Sequence, residues 1–227
     1  MVGAQEEPTC DITNNNKNDH VLRPSMMDEI TASPDSKRAL NLEIFTRIAR
    51  EYDFMTKFLS LGLDASWKRR LVDTVFENYA SVVAVDSKEE DWYDDAVLMC
   101  VDLACGTGEI THLVATRASQ YAHDANKAVY VKGIDLTPEM IEVAKHNYPT
   151  YEYPAISFQV GDMNNLAMNG LKDNSVDILT GRYAIRNAPD LRVALREIHR
   201  ILNLFGFFAF FVASVLEFWV LRSQDLG

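Results

Sequence analysis

Between residues 97 and 213, short apolar runs alternate with segments of helical period, and few architectures accept that alternation. The runs VLMCVDLA (97–104), AVYVKGID (128–135), AISFQVGD (155–162), SVDILTGRYA (175–184) and GFFAFFVA (206–213) are too continuously apolar for strands with one wet face. They read as parallel strands buried on both sides. Residues 109–119, a segment opening at Thr137, and residues 190–202 read as the intervening helices. Thr137-Pro138-Glu139 supplies an N-cap residue, a proline at the first helical position and an acid in the first turn. Leu191, Leu195, Ile198 and Ile201 fall on one helical face. Repeated strand–helix–strand units require right-handed crossovers. The predicted fold is therefore α/β, a doubly wound Rossmann-like parallel sheet of about five strands.

Residues 1–36 are polar, with an Asn-Asn-Asn run and few large apolar groups, and are read as a disordered tail. From 37 to 80 apolar residues recur at helical spacing (Leu40, Ile44, Ile48, Tyr52, Met55; then Trp67, Leu71, Val75, Tyr79), which predicts N-terminal helices interrupted near Gly62. The stretch 81–96, containing SKEEDWYDD, is read as a solvated acidic loop, 97–213 as the ligand-binding domain and 214–227 as a divergent tail. Acids outnumber bases 33 to 22, a net charge of −11, which argues against a nucleic-acid partner because phosphate binding needs a basic stripe. Cys10, Cys100 and Cys105 lack metal-ligand spacing, so no metal and no disulfide framework is expected. The N-terminus shows neither a signal peptide nor a basic presequence, which predicts a cytoplasmic protein.

The chemistry is expected at Asp102-Leu103-Ala104-Cys105-Gly106-Thr107-Gly108-Glu109, where a buried strand ends in a Gly-x-Gly turn and opens a helix. Glycines there let the backbone approach a ligand, and the free N–H groups of the new helix point towards it. A dinucleotide site would want a third glycine at 111, and that position is Thr111. Asp135 closes the second strand, where a carboxylate can accept from two ribose hydroxyls. Gly161-Asp162-Met163 closes the third, where an acid can accept from an adenine amine. With Asp102, Gly106, Thr107, Gly108 and Leu136, these residues form the candidate ligand-binding set.

The same residues resemble class I methyltransferases, and among them the ubiquinone/menaquinone biosynthesis C-methyltransferase family. The resemblance runs from IFTRIAREYDFMTKFLSLGLDASWKRRLV through VDLACGTGEIT, GIDLTPEMIEVAK and VGDMNNL to DNSVDILTGRYAIRNAPDLRVALREIHRIL. It implies S-adenosyl-L-methionine as cofactor and a small-molecule acceptor, a quinol, phenol or similar lipid-like ring. It also implies cofactor contacts from Thr107, Asp135, Asp162 and the Met163 backbone, with Tyr52 and Asp53 on a lid. Arg182 occupies a cofactor position where the family has a small residue. Arg186 is the candidate for stabilising a phenolate on the acceptor, and Asn187 for orienting a hydroxyl; capping of the next helix is the competing reading of both.

The C-terminus departs from that family. Asn203-Leu204-Phe205-Gly206 replaces its glycine-rich turn, and fourteen residues, Ser214 to Gly227, follow the fifth strand. The fifth strand is therefore expected as an open sheet edge, available for pairing with a second copy or a partner subunit. The apolar run Leu204–Leu221 also leaves open a membrane-surface contact. A cofactor-binding protein without turnover is the alternative function.

Overall fold

In a computed structural model the described residues are 33–86, 97–182, 184–212 and 217–226. Three helices come first: α1 (Pro34–Ile48), α2 (Tyr52–Leu59) and α3 (Asp64–Asp86). Strands and helices then alternate as β1 (Val97–Leu103), α4 (Glu109–Ala125), β2 (Ala128–Asp135), α5 (Pro138–Asn147), β3 (Ile156–Val160) and β4 (Val176–Arg182). A short turn α6 (Ala184–Asn187), α7 (Leu191–Ile201), β5 (Leu202–Val212), β6 (Glu217–Arg222) and a 3-10 turn (Ser223–Leu226) follow. The six strands form one sheet in the order β3-β2-β1-β4-β5-β6. β1 to β5 pair in parallel, and the order turns at β1, where β2 and β4 flank it. That is the topological switch point at which such sheets bind ligands.

Alternate residues of the central strands feed two apolar layers. Leu98, Cys100 and Ile178 pack with Leu71, Val75, Phe76 and Tyr79 of α3 and Val114 and Ala118 of α4. Val101, Leu103 and Leu179 pack on the other side with Ile198 and Ile201 of α7. The helix boundaries follow local chemistry. Asp190 caps α7 by accepting from the Arg192 and Val193 N–H groups, and Ser33 caps α1 with Pro34 and Asp35 in its first turn.

The structure corrects the reading of the C-terminus. β5 is not an open edge: β6 pairs with it antiparallel from Phe207↔Arg222 to Val212↔Glu217. An antiparallel neighbour needs only a tight connection, whereas a parallel crossover needs a dozen residues or more, so the short stretch after β5 suffices for the former. The sheet therefore has six strands, and β6 forms its edge. Phe207 and Phe208 of β5 are also covered, Phe207 in the α3 layer and Phe208 in the α7 layer. The apolar run 204–221 is thus divided between two strands, and no described helix is long and apolar enough to cross a membrane. α3 runs on through Asp86 into the stretch read as an acidic loop; residues 87–96 and the first 32 residues of the tail lie outside the described residues.

Phe208 is fully buried beside Leu179 and Ile198. Phe208→Ala should lower the unfolding free energy by about 3–5 kcal/mol, the usual cost of emptying an aromatic core site. Urea denaturation followed by circular dichroism checks this.

Candidate active site

The site is built where β1 leaves the sheet. Asp102, buried near the end of β1, accepts from Thr111 Oγ1 of α4 (2.7 Å) and from Thr180 Oγ1 of β4 (2.8 Å). Burial pushes its carboxyl up to about 7, and the two threonine hydroxyls oppose that shift. Past Leu103 the backbone enters the left-handed region at Ala104 (φ 53°), Gly106 (φ 54°) and Gly108 (φ 89°). Ala104 adopts it with a Cβ in place, at a cost of about 1–2 kcal/mol.

The two glycines serve different ends. A Cβ on Gly106 would find only Tyr52 Cε1, at 3.9 Å, so the space beside it is open. A Cβ on Gly108 would lie 2.7 Å from the Phe158 ring and 3.1 Å from Tyr148. Gly108 is therefore demanded by packing as well as by φ. Cys105 sits buried under the same turn, with its thiol pushed up by burial.

Asp135, at the end of β2, accepts from the Gly106 N–H (2.9 Å) through one oxygen and from the Thr137 N–H (2.8 Å) through the other. Burial raises its pKa, while these backbone bonds favour the charged form. The Thr137 hydroxyl bonds the carboxylate as well, and its remaining lone-pair capacity can still accept a further hydrogen bond. Asp135 borders a partly open cleft at the carboxyl edge of the sheet.

Most of the candidate residues meet at this cleft. Tyr52, Gly106, Asp135, Leu136, Asp162, Met163, Arg182 and Asn187 all line it. Asp102 and Thr107 instead border a smaller adjoining cavity, shared with Tyr52, Gly106 and Arg182. Thr107 Oγ1 donates to Asp53 Oδ1 (2.6 Å), which ties the glycine turn to α2. Arg186 is exposed on the α6 turn and stands outside the lining of both cavities. His112 lies behind the loop, stacked on Tyr148 at 4.8 Å, and burial lowers its pKa. Among the described residues no cluster of three or more His, Cys, Asp or Glu could hold a metal ion.

Three long-range contacts at this edge are not legible in the sequence. Arg38 of α1 donates through Nε (2.8 Å) and Nη2 (2.7 Å) to Asp162 Oδ2, and the Asn164 N–H donates to Asp162 Oδ1. The bond to Asp162 raises the pKa of Arg38. Asn41 Nδ2 donates to the Asn187 carbonyl (2.8 Å), so α1 spans the cleft from the β3 end to α6. Arg182 pairs with the fully buried Asp64 of α3; Asp64 also meets Lys68 (2.5 Å), which reaches Glu109 of α4 (2.5 Å). The arginine that looked out of place from sequence thus has a buried counter-ion. No signal within one chain could have matched Arg182 to Asp64 across more than a hundred residues.

A parallel sheet of this order, an antiparallel edge strand beside β5 and a cleft between an acid-ended β2 and a glycine turn define the class I methyltransferase fold. The chain matches the model of the ubiE/COQ5 methyltransferase family over residues 33–224, and it belongs to that family. It is 30% identical over 165 residues to the demethylmenaquinone methyltransferase of Thermotoga maritima, covering 73% of this chain and 58% of that one. It is 32% identical over 183 residues to the ubiquinone/menaquinone biosynthesis C-methyltransferase UbiE of Rubrivivax gelatinosus, covering 81% and 59%. The chain thus spans about three fifths of the length of these curated relatives. Among solved structures, the DszA carbon methyltransferase aligns with a TM-score of 0.46 and 21% identity, over 57% of this chain and 32% of that one.

Asp102 sets a pH dependence. An acid whose folded pKa is raised to about 7 costs nothing below its unfolded value of 3.8, and destabilises increasingly as pH rises from about 4 to about 7. Asp102→Asn removes that penalty. Its unfolding free energy relative to the parent chain should therefore grow by about 2.5 kcal/mol between pH 5 and pH 8, of the size expected from 1.36 kcal/mol per pKa unit. Urea titrations at the two pH values measure this; a constant difference would show that Asp102 does not titrate there.

Proposed function

We propose that this chain is an S-adenosylmethionine-dependent methyltransferase acting on a small molecule, with a quinol or phenolic ring as the acceptor methylated at carbon. The observation that carries the reading is Asp135: a half-buried carboxylate held by the Gly106 and Thr137 N–H groups and the Thr137 hydroxyl, with acceptor capacity left, beside the open side of Gly106. A ribose diol fits that arrangement. Leu136 and Met163 offer apolar surface for a purine in the same cleft. Asp162 would take an adenine amine through Oδ1, since Arg38 occupies Oδ2. Thr107 and Asp102 act one layer back, holding the turn rather than the ligand.

The cofactor supplies a methyl group already activated on a sulfonium. The protein's task is then to orient the acceptor and raise electron density at the attacked carbon. Asn187, in the cleft wall, would orient an acceptor hydroxyl. Arg186, exposed one residue earlier, would meet a phenolate from the solvent side of the cleft and stabilise its charge. Tyr52 closes the cleft from α2, with its ring edge against Phe45 at 6.2 Å.

Two substitutions separate binding from turnover. Asp135→Ala should weaken cofactor binding by about 2–4 kcal/mol, because charge-assisted hydrogen bonding to the ribose is lost; isothermal titration of the folded variant measures it, and unchanged affinity would remove the ribose assignment. Arg186→Ala should leave that titration unchanged and slow methyl transfer about 10²–10³-fold, the usual effect of losing one oriented donor. Transfer of a labelled methyl group to demethylated quinols and simple phenols is the assay. An equal loss of cofactor affinity would place Arg186 in structure or cofactor binding instead.

A further inference from the structure

Arg186 and Asn187, the groups assigned to the acceptor, stand on α6, a helix of four residues. One helical turn does not hold itself, because fixing its dihedrals outweighs the few hydrogen bonds it makes. Asn187 ends that turn, so its carbonyl has no donor ahead of it within the helix. The directions of both side chains therefore depend on what grips their backbone from outside. On the inner side, Ala184 and Ala188 are buried. The Ala188 N–H returns to the Ile185 carbonyl at 3.4 Å, a long bond. Towards the cleft, the Asn187 carbonyl accepts from Asn41 Nδ2 at 2.8 Å.

α1 places Asn41. Arg38, Asn41 and Phe45 follow one another at intervals of three and four residues, so they share one face of the helix, and Asn41 and Phe45 line the cleft. One turn before Asn41, Arg38 grips Asp162 Oδ2 through both Nε (2.8 Å) and Nη2 (2.7 Å), a charge-assisted hold that fixes the helix at the β3 end. Near its other end Thr46 donates to Glu139 (2.8 Å). α1 has no fully buried residue, so these polar contacts carry much of the placement of Asn41.

We propose that Asn41 is a positioning residue for methyl transfer: through the Asn187 carbonyl it fixes the backbone of α6, and so the directions of Arg186 and Asn187, while Arg38 anchors its helix to Asp162. This rests on the roles assigned above to Arg186 and Asn187, and its first test needs no turnover. Backbone exchange of residues 184–190 is followed in the full chain by hydrogen–deuterium mass spectrometry. Asn41→Leu, close in size and without the donor, should exchange about 2- to 10-fold faster there, the ratio that one net hydrogen bond sustains, with exchange in the strands unchanged. Arg38→Ala should speed the same segment, although Arg38 does not bond to it. In methyl transfer to a quinol or phenol, Asn41→Leu should lose about 10- to 100-fold in kcat, the cost of a small displacement of a catalytic group. Its titration with S-adenosylhomocysteine should stay unchanged. Asn41→Gln, which keeps an amide donor, should recover most of both losses. Unaltered exchange at 184–190 in Asn41→Leu overturns the proposal. So does faster exchange with kcat unchanged, or a loss of kcat matched by a loss of cofactor affinity. A parent chain that transfers methyl to no quinol or phenol refutes the acceptor assignment instead, and the exchange rates then decide by themselves whether Asn41 holds α6.

Discussion

Asp102 is a carboxylate placed where water does not reach, at the end of the central strand. Its two oxygens are satisfied by threonine hydroxyls from elements on either side, Thr111 of α4 and Thr180 of β4. Removing a carboxylate from water is costly, and burial keeps its pKa near neutrality despite those bonds. In return, three elements are fixed to one another at the point where the chain turns out of the sheet. The geometry beyond depends on that tie. Ala104, Gly106 and Gly108 must take left-handed conformations in a turn whose start is fixed, and only then does the Gly106 N–H reach Asp135.

The three N-terminal helices are attached to this edge by different forces. α3 is anchored by apolar burial along Leu71, Val75, Phe76 and Tyr79, and by Asp64 and Lys68 within the protein. α1 has no fully buried residue and is held across the cleft by polar contacts, Arg38 to Asp162, Asn41 to Asn187 and Thr46 to Glu139. Elements with few apolar contacts open at lower free energy than the core.

The readable part of the fold was the part governed by short-range periodicity. Buried parallel strands need continuous apolar runs, and helices between them need one apolar face, so β1 to β5 and α7 stood out in the chain. β6 did not. Its pairing is antiparallel, so its connection could be short, and its sequence FWVLR lacks the alternation of a strand with one wet face. The acid-ended β2 and β3 and the glycine turn were legible because each is a local pattern whose position at the carboxyl edge follows from strand order. The roles within that turn were not. Gly108 proved to be required by the ring of Phe158, which approaches from another strand.

By itself the amino-acid sequence determined a doubly wound sheet with a glycine turn and two strand-end carboxylates on one edge, because each of these depends on residues close together in the chain. Only the tertiary structure decided which of those groups face the cleft. Asp102 and Thr107 turn to protein partners, while Asp135, held by Gly106 and Thr137, also lines the cleft. It also decided that Arg182 is a buried partner of Asp64 and that Asp162 shares its charge with Arg38. Ion pairs between distant elements leave no periodic trace in a single chain, since their partners are chosen by where the backbone has already brought them.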